Sequence, residues 1–385
     1  MRFNEVVHRL KQKYIDQKIT RNFNNDLRIL LLNAPCNGFG DIVFAMKLAS
    51  YIKKWYDITP MIASTQTHYF LDLGEKEENM IKMTTSKSSQ CRRFARLTLP
   101  DNLPTFDVIL VAPMQADYNP DIKDIQSILP YANTLNTLFF SEYNDDIDKG
   151  FDFNMGIGNG RDGMLLDSFV DEAPIETIEN MRLKPGTYAV IYIAELDTSY
   201  KCMNMFIEMV VKKYSHLPLF EIIIPNWVNI DDKLVDKLKP YFSEIAVETS
   251  TRITVFYKSF PEKNLLTFRQ DIFPLKYKDI SALYKYSVRD ILLTGDQSIS
   301  DVIGCCWEDK LPFYQIVPWK KDFSKKLAQL LPQKFIKSIK TACGSLDAIH
   351  YHPDFKHFVE TQNFSKNGKN KLDALLSLIH KYKNE

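Results

Sequence analysis

The feature that most constrains the fold is a strand–loop–helix–strand pattern near the N-terminus. An apolar run at 28–33 ends in a glycine-containing loop, and helical spacing of apolar residues follows from 42 to 55. A second apolar run stands at 60–63. Strands that are apolar throughout are typical of a sheet covered on both faces. The pattern therefore predicts the opening of a parallel α/β unit.

The same alternation continues through the chain, and 385 residues exceed what one core usually supports. We predict an α/β fold with two Rossmann-like domains, joined by a linker near 170–186. The predicted bounds are 1–175 for the first domain, 186–345 for the second and 346–385 for C-terminal helices. Further strands are predicted at 106–112, 137–141, 188–194, 220–224, 244–248, 253–258, 290–294 and 313–317. Further helices are predicted at 1–20, 200–214, 231–239, 278–287, 298–307 and 371–382, with a glycine-rich loop at 151–166.

The charge balance and the cysteines narrow the function classes. Lys and Arg total 49 against 48 Asp and Glu, whereas proteins that grip nucleic-acid phosphates usually carry a clear basic excess. The N-terminus has no signal-peptide pattern, and no apolar run reaches the ~18 residues of a membrane span. The six cysteines form no C-x-x-C pair. We predict no nucleic-acid partner, no membrane span and a cytoplasmic location, or export as an effector without a signal peptide.

The first strand-to-helix junction runs from Asn37 through Gly38, Phe39 and Gly40 to Asp41. Its glycines permit a tight turn and the close approach of a ligand. In open α/β sheets, ligands bind beyond the carboxyl ends of the strands. Asp41 then has two interpretations: an N-cap of the following helix, or a general base facing a ligand site.

The second junction, Leu292–Asp301, reads LLTGDQSISD. A strand ends, a glycine turn follows, and a helix opens with small polar residues. Free N–H groups at such a helix start can bind an anion, with hydroxyls from Ser298 and Ser300, although simple capping explains the same residues. Asp296 would repel phosphate, so we expect it to reach a sugar hydroxyl or to orient a neighbouring basic group.

Several familiar sites are absent from the sequence. Neither junction has the G-x-G-x-x-G spacing of a dinucleotide fold, and no P-loop or G-x-S-x-G motif occurs. His350, His352 and His357 lack acidic or cysteine partners at ligand spacing, so no metal site is predicted.

The two junctions together resemble the GT-B glycosyltransferases, and most closely the elongation factor P arginine rhamnosyltransferases. That family's N-terminal motif reads D-N-[FY]-G-D-I-G-V-x-W-R-L-A, and residues 37–49 here read NGFGDIVFAMKLA. Its C-terminal blocks resemble Phe273–Leu275, GDQSIS at 295–300 and PFYQIVP at 312–318. Departures include Asn37 for the first aspartate and Asp296 for a glutamate. The matching blocks cover about a fifth of the chain.

The resemblance implies two domains facing a cleft, with the last helix crossing back to the first domain. It implies inverting transfer of a sugar from a nucleotide diphosphate sugar, without metal or other cofactor, to an acceptor such as a protein side chain. Asp41 would be the general base. The donor would contact Phe273, Leu275, Asp296, Gln297, Ser298, Ile299 and Ser300. Arg161 and Asp162 are candidate contacts for acceptor or sugar. Two alternatives stay open: a nucleotide-sugar epimerase and a non-catalytic nucleotide-sugar-binding protein.

Overall fold

The structure is a computed structural model. It describes residues 3–17, 26–35, 39–85, 94–114, 119–167, 173–196, 199–261, 263–306, 310–330, 336–339, 348–351 and 355–385. The chain divides into two compact units. Unit 1 comprises residues 1–167 and 359–385, and unit 2 comprises residues 168–358. Among the described residues, no helix combines the length and the apolarity that crossing a bilayer requires.

Unit 1 is built on a parallel sheet. Its helices are α1 (Phe3–Asp16), α2 (Gly40–Tyr56), α3 (Thr67–Asp72) and α4 (Ile122–Gln126). Its strands are β1 (Ile29–Asn33), β2 (Met61–Ser64), β3 (Met80–Lys82), β4 (Thr84–Thr85), β5 (Leu97–Thr98), β6 (Val108–Met114) and β7 (Thr137–Ser141). The main sheet has the order β3-β2-β1-β6-β7, and every neighbouring pair is parallel. Strands β1, β6 and β7 are buried at every residue, as their apolar sequences predict.

Unit 2 contains helices α5 (Ile175–Asn180), α6 (Ser199–Tyr214), α7 (Asp232–Leu238), α8 (Tyr277–Tyr286), α9 (Asp296–Cys306) and α10 (Lys321–Leu330). Its strands are β8 (Tyr188–Ile191), β9 (Leu219–Ile223), β10 (Glu244–Glu248), β11 (Ile253–Lys258), β12 (Leu265–Arg269), β13 (Asp290–Thr294), β14 (Leu311–Gln315), β15 (Ile336–Ile339) and β16 (Ala348–Tyr351). The sheet order is β11-β10-β12-β9-β8-β13-β14-β16-β15. From β10 to β14 the neighbours are parallel, whereas β11 and β16 pair antiparallel at the two sides.

The C-terminal segment forms α11 (Phe355–Gln362), α12 (Phe364–Asn367) and α13 (Lys369–Lys383). Helix α13 packs against α1 in unit 1. The Tyr56 hydroxyl at the end of α2 donates to Asp373 in α13 at 2.6 Å. Trp55 stacks on Phe364 with 6.0 Å between ring centroids. These contacts attach the C-terminal helices to the same unit as the N-terminal strands.

Two details of the predicted organisation are wrong. Residues 348–351 were expected within a helical tail, but they form β16, which pairs with β14. The segment 175–180 was expected in the linker, but it is helix α5 and packs against α8 of unit 2. In both places the main chain finds partners far along the sequence, which local periodicity does not report. The predicted α/β class with parallel sheets and covering helices is confirmed.

A glycine in the predicted loop at 151–166 sits against the C-terminal helices. Gly163 has φ +94°, and a Cβ there would lie 2.6 Å from the Phe364 nitrogen and 2.7 Å from the Asn363 carbonyl carbon. Next to Gly163, the Phe364 N–H donates to the Met164 carbonyl at 2.7 Å. A side chain at 163 would therefore push two main-chain segments apart.

Gly163→Ala is expected to destabilise unit 1 by more than the ~1–2 kcal/mol that a left-handed conformation alone imposes on an L-residue. Gly160→Ala is the matched control, because Gly160 also has positive φ (+75°) but its nearest neighbour, the Ile147 Cδ1 atom, is 3.5 Å away. Urea unfolding of both variants measures the difference. Equal losses in the two variants would contradict the close approach at Gly163.

Candidate functional site

The strand order of unit 2 reverses at β8. From β8 the chain goes to β9 on one side, and it later returns to place β13 on the other side. Loops that follow the two strands at such a reversal diverge and leave a crevice at the carboxyl edge, where open α/β sheets bind ligands. The loop after β13 is the second predicted junction, which begins at Gly295 with φ +77°.

Five of the predicted donor-binding residues open α9 directly after this turn. Ile299 is fully buried and belongs to the core rather than to a surface. The Ser298 hydroxyl donates to the Thr294 carbonyl, and the Ser300 hydroxyl donates to the Gln297 carbonyl at 2.9 Å. The protons of both hydroxyls are therefore engaged within the helix start. A diphosphate at this turn would meet main-chain N–H groups first.

The side chain of Gln297 is held in one orientation and leaves one atom without a partner. Its Nε2 donates to the Ser300 hydroxyl at 3.0 Å and to the Asp301 carboxylate at 3.1 Å. An ionised carboxylate only accepts, so the amide nitrogen must face Asp301. Gln297 is 7% exposed, and its Oε1 has no hydrogen-bond partner within the described chain. Buried acceptors of this kind are usually paired, so a hydroxyl of a ligand or a water molecule could donate to this atom.

Asp296, the first residue of α9, is paired with a lysine that follows the neighbouring strand β14. Lys320 lies in the turn after β14, and its Nζ is 2.6 Å from the Asp296 carboxylate. The side chains are 16% and 13% exposed. Burial raises the pKa of the Tyr314 hydroxyl, and the nearby Asp296 carboxylate adds to the rise. Asp296 thus orients a basic group beside the helix start, which is one of the two roles considered for it.

Phe273 lies close to the end of β8. Its ring centroid is 6.0 Å from that of Tyr192, which follows β8. Burial raises the pKa of Tyr192, with a further contribution from the Asp301 carboxylate. Phe273 and Leu275 are both half-buried. Tyr192 was not singled out from the sequence, although its position at the end of an apolar strand could have indicated it.

The first predicted junction lies at the corresponding point of unit 1. From β1 the chain goes to β2 on one side, and β6 later takes the other side. The loop after β1 leads into α2, whose N-cap residue is Phe39 and whose first residue is Gly40. Asp41 is therefore inside the first turn, and the interpretation of Asp41 as the N-cap is wrong. Asn37 and Gly38 lie outside the described residues.

Polar residues that end neighbouring strands position this junction. Asn33 at the end of β1 donates from Nδ2 to the Asp41 carbonyl and to the Ala112 carbonyl, both at 3.1 Å. The Ser64 hydroxyl at the end of β2 donates to Asn33 Oδ1 at 3.4 Å. These contacts tie the first turn of α2 to three strands. The sequence analysis missed Asn33, although a polar residue closing an apolar strand is a visible signal.

An aromatic cluster borders the same loop. Phe39 packs edge-on against Tyr69 at 4.9 Å, and His68 lies 4.0 Å from Tyr69 between ring centroids. Phe39 is 36% exposed and His68 is exposed. The cluster gives the carboxyl edge of unit 1 an aromatic border that sequence reasoning did not identify.

Arg161 and Asp162 belong to the glycine-rich segment of unit 1. Asp162 accepts the Asn154 N–H at 2.7 Å and pairs with Lys371 of α13 at 3.2 Å. Burial raises the pKa of Asp162, against the pull of Lys371. Desolvation lowers the pKa of Arg161, whose Nη1 has no hydrogen-bond partner in the described structure. Asp162 helps to hold the segment, and the contact of either residue with acceptor or sugar stays a prediction.

Comparison of the sequence with protein-family models and with curated proteins gives no match. In the described part of the chain, no three His, Cys, Asp or Glu side chains come together as a metal-binding group. The glycosyltransferase resemblance therefore depends on the two motif blocks alone.

Proposed function

We propose that the protein is a glycosyltransferase that moves a sugar from a nucleotide diphosphate sugar to an acceptor, with inversion and without metal. Unit 2 would bind the donor and unit 1 would supply the base. A protein side chain is among the acceptors that fit this chemistry.

One observation carries the proposal. Each of the two junctions that resemble the family's motifs lies at the point where the strand order of its own sheet reverses. The position of such a reversal is set by pairing between strands that are far apart in the sequence. It is therefore an observation independent of the motifs. Ligands of open α/β sheets bind there.

The donor half of the proposal uses the start of α9. Main-chain N–H groups and the Lys320 ammonium would bind the diphosphate, and they would stabilise the charge that develops on the leaving group. The Gln297 Oε1 would accept a hydrogen bond from a ribose or sugar hydroxyl. Phe273 and Leu275 would border the base. In this arrangement Ser298 and Ser300 shape the turn through their carbonyl contacts.

The acceptor half uses the start of α2. The Asp41 carboxylate would take the proton of the acceptor nucleophile as it attacks the sugar carbon from the face opposite the diphosphate. The bond from the sugar to the diphosphate breaks, and the nucleoside diphosphate leaves with the electron pair. Asn33 would act as a positioning residue, because it fixes the main chain at Asp41.

Calorimetric titration with UDP, dTDP, GDP, CDP and ADP tests the donor site. We expect one or more of them to bind, and Lys320→Met to weaken that binding by about tenfold to a hundredfold, the value of a charge-assisted hydrogen bond. Lys321→Met is the matched control, because Lys321 is the adjacent, exposed lysine. Its affinity should equal that of the unaltered protein.

Two results would contradict this assignment. One is the absence of binding for all five nucleotides. The other is an affinity that Lys320→Met leaves unchanged in a folded protein. An epimerase would bind the same donors, but it would isomerise the sugar without an acceptor, and product analysis separates that alternative.

A further inference from the structure

A cavity of about 660 Å³ lies in unit 1 between α1, the edge strand β7 and residues 149–152. This volume is within the usual range of small-molecule sites. Thr134 and Thr137, at the amino end of β7, line it. Asp41 follows the carboxyl end of β1 in the same parallel sheet, so this cavity is separate from the proposed catalytic junction.

The floor of the cavity carries two charges that cancel. Lys11 pairs with Asp152 at 2.9 Å, and their side chains are only 5% and 8% exposed. Lys11 also donates to the Thr137 carbonyl at 3.2 Å, and Asp152 accepts the Phe139 N–H at 3.0 Å. This buried pair holds α1 against β7, and it presents no net charge to a ligand.

Side chains of both positive and negative charge line the sides of the cavity. Glu5 and Asp121 provide carboxylates, whereas Arg9 and Lys149 provide cations. Lys149 already pairs with Asp145 at 3.0 Å. The Arg9 guanidinium has no hydrogen bond or ion pair to any described residue, and it lies on the exposed face of α1.

This lining fits a neutral ligand rich in hydroxyl groups better than it fits an ion. An anion would lie near Glu5, Asp121 and Asp152, and a cation would lie near Arg9. A hydroxyl both donates and accepts, so it can use carboxylates, amides and guanidinium together. Guanidinium and carboxylate groups can each bind two neighbouring hydroxyls at once.

We propose that this cavity binds a short neutral saccharide, with the Arg9 guanidinium as the principal donor and the Gln12 Oε1 atom as the principal acceptor. The Gln12 Nε2 atom already donates to Asp16 at 2.8 Å. The site is distinct from the proposed nucleotide site and does not depend on it. It would give the protein a second place to hold a carbohydrate, in the N-terminal unit.

Saturation-transfer NMR on the full chain tests the proposal with maltose, cellobiose, lactose and chitobiose as probes. We expect at least one of them to receive saturation, and Arg9→Ala/Gln12→Ala to weaken its binding by at least about tenfold, since two hydrogen bonds are removed. Both positions are exposed and alanine favours helix, so the variant should fold. Lys13→Ala, exposed on α1 but outside the cavity lining, is the control and should bind normally.

Glutamate and inorganic phosphate are tested by calorimetry as charged alternatives to the saccharide. The proposal is overturned if none of the four disaccharides binds, or if the double variant binds them as well as the Lys13→Ala control. It is also overturned if phosphate or glutamate binds in their place. Melting curves of the variants establish that a lost signal reflects the cavity and not unfolding.

Discussion

Asp41→Asn is expected to lower sugar transfer by about 10²–10⁴-fold, the usual contribution of a general base. The amide keeps the shape of the side chain but cannot take a proton. Because Asp41 lies in the first turn of α2 and is not its cap, the change also removes a negative charge from the helix start. That charge contributes only about 0.3–1 kcal/mol to stability, so the fold should persist.

The measurement is release of nucleoside diphosphate from nucleotide sugars built on the nucleotide that the titration identifies, with a melting curve beside it. Donor affinity should barely change, since the proposed donor contacts are in unit 2. Asp57→Asn, at the C-cap of the same helix, is the control and should keep full turnover. Near-normal turnover of a folded Asp41→Asn protein would place the base elsewhere. The exposed His68 and then Asp162 would be the next groups to test.

The regular elements near the two junctions were predictable because their physics is local. Strands 137–141 and 290–294 are apolar at their three central positions and were predicted with the bounds that the structure shows. The predicted helix at 42–55 corresponds to α2, whose apolar residues face the sheet. Apolar strands with helical spacing between them therefore suffice to indicate a parallel α/β fold.

Long-range pairing was not predictable from the same signals. Strand β16 reads AIHY and β15 reads IKSI, so neither shows a clear apolar alternation. They are strands because β14 offers a free edge to β16, and β16 offers one to β15. The partner strand, and not the local sequence, decides the conformation of such segments.

The candidate site likewise has features that the sequence predicts and features that it does not. The glycine turn at Gly295 and the start of α2 could be predicted from the sequence, because glycine is the usual residue in tight turns with unusual backbone angles. The pairing of Asp296 with Lys320 could not, since these residues follow different strands. The burial of Lys11 and Arg269 in ion pairs could not be predicted either, because their partners Asp152 and Glu221 lie far along the sequence.

Arg269→Met is expected to destabilise unit 2 by about 3–5 kcal/mol, the usual effect of removing one partner of a buried ion pair. Arg269 ends β12, and its side chain is 2% exposed. It donates to Glu221 at 2.7 Å, to both oxygens of Asp271 at 2.8 and 2.9 Å, and to the Met181 carbonyl at 3.0 Å. Methionine would fill the space, but it would leave Glu221 without its cation and Asp271 with only the exposed Arg182.

The loss of stability caused by Arg269→Met should grow as the pH rises. Burial alone would raise the pKa of Asp271, but the bonds and charge of Arg269 outweigh it and hold the pKa below the ordinary value. In the unaltered protein this carboxylate therefore adds stability above its unfolded pKa, and the contribution is lost as the pH falls through the folded pKa. Burial raises the pKa of Glu221 even with Arg269 present. Without Arg269, the pKa of Glu221 should rise further, whereas Arg182 and a main-chain hydrogen bond continue to lower the pKa of Asp271.

Denaturant unfolding at pH 7 and near pH 4, with Arg182→Met as control, measures this dependence. Arg182 reaches Glu248 and Asp271 from the surface, and its side chain is 66% exposed. Its loss should change stability by only about 0–1 kcal/mol, as for other exposed pairs. The Arg269→Met deficit should be largest at pH 7 and should narrow in acid, where protonated carboxyls no longer need a cation. A deficit as small as that of Arg182→Met at pH 7, or one that widens in acid, would show that Arg269 does not hold this part of the sheet together.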